Sequence, residues 1–155
     1  MVVTEPHPSP DRLEAWRAFL GAHASTIRVL DQELQTEHAL PLTWYDVLVQ
    51  LSEAGGRLRM SDLAEAVLLT RYNCTRLVDR MTTAGLLDRQ TDPDDARVRW
   101  AVLTNRGNAL LHEAAPTHMR GIQRLFAGIV EDGAEAERLA ALFTAMHEAA
   151  HEPPP

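Results

Sequence analysis

A chain of 155 residues, 45% hydrophobic and 24% charged, is most simply one globular domain that buries a core without disulfide staples. No stretch approaches the roughly 18–20 apolar residues of a membrane span, the opening MVVTEPHPSPD lacks the pattern of a signal peptide, and a single cysteine excludes an internal disulfide and fits a reducing cytoplasm. The formal charge of −7 is uneven: residues 57–106 hold nine arginines against seven acidic residues, the remainder six against fifteen, and a nucleic-acid footprint needs local rather than total positive charge.

Apolar residues recur at helical spacing along most of the chain, which predicts a mainly α fold. After a proline-rich tail, Ser9-Pro10-Asp11 reads as a helix start, with serine capping and proline at the first helical position. The stripe Leu13, Trp16, Leu20, His23, Ile27, Leu30, Leu34 is a heptad-like seam that asks for partner helices. Pro41 ends that section. Thr43 is expected to cap a second helix over about 44–54, closed by Gly55-Gly56. Leu58-Arg59-Met60 suggests a very short strand, and Ser61 the cap of a short helix carrying Leu63, Ala64 and Val67.

Thr70 caps the next predicted helix, about 71–84, which Gly85 ends. Two short helices joined by a tight turn form a helix-turn-helix pattern. Two predicted strands, Leu86–Gln90 and Arg97–Leu103, then flank Asp92-Pro93-Asp94-Asp95-Ala96, a hairpin around a Pro/Asp turn. Thr104 opens a long helix with Leu111, Ala115, Met119, Ile122, Phe126 and Ile129 on one side. Pro116 predicts a kink or break within it. Asp132-Gly133 turns the chain into a last helix bearing Leu139, Leu142, Phe143 and Met146, before Pro153, Pro154 and Pro155.

On a helical wheel over 71–84, Cys74, Leu77, Val78 and Met81 share the side expected to be buried. The first two exposed turns offer Arg71, Tyr72, Asn73, Thr75 and Arg76. Helix amides and the positive dipole end favour a phosphate, and these side chains match base-edge donors and acceptors in a major groove. A solvated surface helix explains the same residues equally well when the helix is taken alone.

The order helix, turn, helix, hairpin, helix is that of a winged helix-turn-helix. Thr70-Arg71, Thr75-Arg76-Leu77-Val78-Asp79-Arg80-Met81, Gly85-Leu86-Leu87-Asp88-Arg89, Asp95-Ala96-Arg97 and Leu103-Thr104-Asn105-Arg106-Gly107 stand in sequence here, and over roughly residues 11–150 the chain resembles the MarR family of bacterial transcription regulators. The resemblance implies a mainly α fold with a small β-hairpin, in one domain spanning 1–155: dimerisation helices over 11–36 and 108–150, and a winged lobe over 43–107. It implies a cytoplasmic homodimer that binds double-stranded DNA at a palindromic operator, probed by the five recognition-helix residues above. The wing would supply Arg97 and, for phosphate, Arg99. Asp95 would hold the wing by pairing with an arginine, with Arg80 as the partner proposed from sequence. Tyr72-Asn73 departs from the small residues many members carry, so no sequence preference carries over. A small-molecule effector would enter a pocket between the dimerisation helices and the winged lobe, lined by Trp16, His23 and Trp44. No cofactor, metal or membrane association is implied.

Other chemistry is less well supported. Cys74 sits on the buried face, where a small apolar side chain is expected rather than an oxidation sensor. His147 and His151, four apart, have metal-compatible spacing but flank the terminal tail. The aspartates at 92, 94 and 95 lack calcium-loop spacing and its glutamate. His23 interrupts an apolar seam, which reads as a satisfied core histidine ahead of a ligand contact. A nucleophile elbow, a glycine-rich phosphate loop and a zinc motif are missing, which argues against an enzyme. The rival to a regulator is a winged-helix protein-interaction module that never touches DNA.

Overall fold

The computed structural model describes residues 7–151. The start of the proline-rich tail and Pro153, Pro154 and Pro155 lie outside the described residues. Six α-helices and three strands follow one another: α1 Pro10–His38, α2 Leu42–Glu53, β1 Arg57–Arg59, α3 Met60–Ala66, α4 Arg71–Thr83, β2 Leu87–Thr91, β3 Arg99–Leu103, α5 Asn105–Ile122 and α6 Gly133–His151. A π-helical turn, Gln123–Ala127, continues from α5. The chain divides into two compact units, Met1–His118 and Met119–Pro155.

In the first unit β3 is the central strand of an antiparallel sheet ordered β1-β3-β2. Its buried residue Ala101 faces Leu58 on one side and Arg89 on the other. Helices α2, α3 and α4 close over a core of Val47, Leu48, Leu51, Leu63, Val78, Met81 and Leu87, each buried completely. The carboxy-terminal part of α1 joins this core through Leu30 and Leu34. Further towards its amino terminus the seam is open, with Trp16, Leu20 and Ile27 exposed. His23 is exposed as well, contrary to the core histidine expected from sequence. In the second unit α6 buries none of its residues.

Several local expectations are corrected. Ser9 is the α1 cap residue but makes no side-chain cap bond. Thr43 lies inside α2, not at its cap; the residue before the helix is Pro41, and the Leu42 amide donates to Asp31 Oδ1 of α1 at 2.8 Å. A tertiary carboxylate thus satisfies an amide that no local hydroxyl reaches. Ser61 lies inside α3, whose cap position is Arg59, and its hydroxyl donates to Asp62. Leu77 is half-buried rather than buried. The helix runs through Pro116 without a break; departure from α geometry comes later, at Gln123–Ala127.

The junction between α4, the hairpin and α5 is closely tied. Gly85, at φ +74, takes the left-handed conformation that ends α4. Thr104 Oγ1 donates towards the carbonyls of Gly85 at 2.8 Å and Leu86 at 2.9 Å and accepts from the Gly107 amide at 3.0 Å. One hydroxyl therefore caps α5 and holds the turn that leaves α4. A Cβ on Gly107 would lie 2.2 Å from the Leu86 carbonyl oxygen, so this helix–turn approach admits only glycine.

Candidate nucleic-acid interface

Helix α4 begins as its sequence requires. Thr70 has extended backbone geometry, and its Oγ1 accepts from the Asn73 amide at 3.2 Å. Cys74, Val78 and Met81 then anchor one face in the core, leaving Arg71, Tyr72, Asn73, Thr75 and Arg76 exposed. The structure divides these five residues between two flanks. Arg71 and Thr75 face the wing across a cleft of about 540 Å³, lined also by Arg59, Ser61, Arg89, Arg97 and Arg99. Among the described residues, no carboxylate lines it. Asn73 and Arg76 face away, into a groove of about 270 Å³ shared with Thr43 and Arg80. Tyr72 stands near Arg76, whose guanidinium donates to its phenol oxygen at 3.3 Å and lies 5.7 Å from its ring centre.

The wing is organised by its first aspartate. Asp92 Oδ1 accepts from the amides of Asp94 at 3.0 Å and Asp95 at 3.2 Å, while Oδ2 accepts from the Trp100 indole at 2.9 Å. Those bonds, the indole's foremost, hold the Asp92 carboxyl below its usual range. Backbone bonds from Asp92 N to Val98 O and from Val98 N to Asp95 O close the loop.

Asp95 does not pair with Arg80. Its Oδ1 accepts from the Arg97 backbone amide at 2.9 Å and from Arg97 Nε at 3.2 Å, whereas Arg80 lies 5.7 Å from the Trp44 ring centre. Asp95 therefore orients the wing arginine directly. The Arg97 side chain remains 93% exposed, so its terminal nitrogens are open to solvent. Arg99 donates to Thr91 across the hairpin. The bridge from wing to α4 is instead Arg89–Asp79, at 2.9 Å, a pair the sequence reading did not identify.

The same reading also missed Arg57, Arg59 and Trp100. The Arg-Leu-Arg alternation of β1 puts both arginines on the sheet face away from the core. Placing the strand one residue earlier in sequence would have shown this.

The three expected effector residues are not brought together. Trp44 lines a cavity of about 420 Å³ with His38, Leu40, Leu86, Arg106, Leu110 and Glu113. Trp16 and His23 do not line it. His23 precedes His38 by fifteen residues of continuous helix, about 22 Å of rise. It stacks instead in a run of rings along α1, with Trp16–Phe19 at 5.7 Å and Phe19–His23 at 6.1 Å.

A MarR family sequence model matches residues 38–98, covering α2 through the wing loop. Over 116 residues the chain is 33% identical to the uncharacterised HTH-type transcriptional regulator YkoM of Bacillus subtilis, covering 75% of this chain and 71% of that one. The chain belongs to the MarR family. Among solved MarR family structures, Sco3205 from Streptomyces coelicolor, crystallised in complex with DNA, superposes with a TM-score of 0.91 at 25% identity, covering 97% of this chain and 94% of that one. AbsC from the same organism gives 0.87 at 29% identity, over 96% and 100%. This MarR family member is accordingly a winged-helix, DNA-binding transcriptional regulator, and its relatives are regulators rather than enzymes.

Proposed function

We propose that the chain is a dimeric, ligand-responsive repressor that sets two winged lobes on a palindromic operator. The observation that carries this reading is the cleft between α4 and the wing, where Arg71 and Thr75 meet Arg97 and Arg99 with no carboxylate among the lining residues. Arginines from two elements converge on this groove; Asp95 holds Arg97 and Asp79 holds Arg89, but neither carboxylate lines the groove, which suits a phosphodiester backbone. In this reading Arg71, Tyr72, Asn73, Thr75 and Arg76 probe the major groove, and Arg97 enters the neighbouring minor groove. The exposed apolar stripe of α1 and the exposed Leu142 and Phe143 of α6 support self-association, since each offers apolar surface suited to a second copy.

The cavity beside Trp44 supports ligand response. An indole and the apolar Leu86 and Leu110, with Arg106 and Glu113 as polar groups of opposite charge, suit an aromatic ligand with a polar substituent. Occupancy there would change the spacing of the two lobes, so that they no longer match half-sites about one helical turn apart.

The test is selection of the full chain against a random-sequence duplex library, followed by titration of the recovered duplex over a range of salt concentrations. Replacing Arg97 by Ala is expected to weaken binding and reduce the salt slope by about one. If the recovered duplexes carry no inverted repeat, or Arg97→Ala leaves affinity and salt slope unchanged, the reading fails.

A further inference from the structure

Arg57, Arg59 and Trp100 lie outside the recognition helix and the wing loop, and their geometry is specific. Register pairs Arg57 with Val102 and Arg59 with Trp100, so Arg57, Arg59 and Trp100 share the sheet face directed away from the core. Both guanidinium groups lie over the same indole, Arg57 at 4.8 Å and Arg59 at 5.4 Å from the ring centre. The indole is itself fixed by its bond to Asp92 Oδ2. Neither arginine forms an ion pair among the described residues. Asp88 shares the face but stands beyond β3, opposite Val102, two strand spacings or roughly 10 Å from the Arg57 backbone. The Asp92 carboxylate is engaged by the indole and two amides, and the Arg59 charge acts on it only as the smallest of the influences that lower its pKa, without an ion-pair contact.

A guanidinium stacked through its face keeps its in-plane N–H edge free, and that edge makes bidentate bonds to phosphate. Stacking also removes rotamer freedom before any ligand arrives, lowering the entropic cost of binding. Arg59 lines the cleft that holds Arg71, Arg97 and Arg99, so the cationic strip continues from the cleft onto β1.

We propose that Arg57 and Arg59, carried on Trp100, form a third DNA contact, a phosphate clamp on β1 beside the wing. Trp100 is its positioning residue. Asp92 couples the clamp to the wing, because one carboxylate organises the wing loop and orients the indole. This inference rests on the reading that the chain meets DNA through the α4–wing cleft.

The experiment measures affinity and salt slope of the full chain on the duplex recovered by selection. Arg59→Ala is expected to weaken binding about tenfold and lower the salt slope by about one, with Arg57→Ala moving both in the same direction. Trp100→Leu keeps both charges but removes the stacking face, so affinity falls. Trp100→Phe retains a ring without the indole N–H and should recover most of that loss. Arg71→Ala and Arg97→Ala serve as controls. If the controls lower the slope and Arg59→Ala does not, the clamp is overturned while the cleft reading stands. If neither control alters binding, the cleft reading falls with it. Trp100→Leu binding like the parent, or Trp100→Phe binding as poorly as Trp100→Leu, removes the stacking role.

Discussion

Single residues determine how firmly the winged lobe is held together, and Thr104 and Gly107 are the clearest cases. The Thr104 hydroxyl serves two carbonyls and one amide, so Thr104→Val should cost about 1–2 kcal/mol of folding stability in urea denaturation. Gly107→Ala places a Cβ against the Leu86 carbonyl and 2.9 Å from Leu103 Cδ1, and the carbonyl, being backbone, has little room to yield. A loss of about 3 kcal/mol or more is expected. If alanine there left the urea midpoint unchanged, the close approach would be wrong. His118 acts through protonation. Its ring lies 4.5 Å from that of the buried Tyr45, its Nδ1 is buried without a hydrogen-bond partner, and burial lowers its pKa. The unfolded chain therefore takes up a proton first as pH falls through the ordinary imidazole range. Its contribution to stability is complete above that range and declines on acidification towards the lower folded value. His118→Phe should accordingly flatten the stability difference measured between about pH 7.5 and about pH 5.5; an undiminished acid dependence would exonerate this histidine.

At the scale of elements, the wing and recognition helix form one electrostatic assembly. The Arg89–Asp79 pair joins β2 to α4, but both side chains are substantially exposed, so its contribution is no more than about 1 kcal/mol. Its larger effect is on placement, since Arg89 also lines the arginine cleft. Position 79 was legible only as an exposed residue of a helical wheel, and position 89 only as part of a strand. Their pairing depends on how the hairpin folds back. Cys74 was legible as part of the buried face and is fully buried. Burial, more than the opposing effect of Arg89, pushes its thiol up, which disfavours the reactive thiolate. Peroxide should therefore leave operator binding unchanged in the parent, and Cys74→Ser should show the same affinity with and without oxidant. Peroxide-dependent loss in the parent alone would instead mark Cys74 as a sensor.

At the scale of the whole molecule, exposed apolar surface is concentrated outside the winged lobe. Trp16, Leu20 and Ile27 on α1, and Leu142 and Phe143 on α6, are exposed in the single chain. The proposed homodimer would remove such surface from water at about 25 cal/mol per Å². Leu142→Arg should shift sedimentation equilibrium towards the monomer and weaken duplex binding with it, because two half-sites then no longer act through one particle. A variant that stays dimeric with full affinity would place the interface elsewhere. The acidic total charge is compatible with DNA binding on the same grounds of distribution: the middle third of the sequence is locally basic.

Local chemistry was sufficient for the order of elements, the Thr70 cap, the Gly85 stop, the buried α4 face and the hairpin. Each depends on residues within a turn or two of one another, where propensity and periodicity act directly. The cap of α2 by Asp31, the Asp79–Arg89 bridge, the separation of Trp16 and His23 from Trp44, and the stacking of two arginines on Trp100 depend on folded segments meeting. Their physical cause is strand register and helix length, which convert small offsets along the chain into a change of face or tens of ångströms. Sequence alone determined that arginines would be presented around a helix and a wing; the tertiary structure decided which of them share a groove.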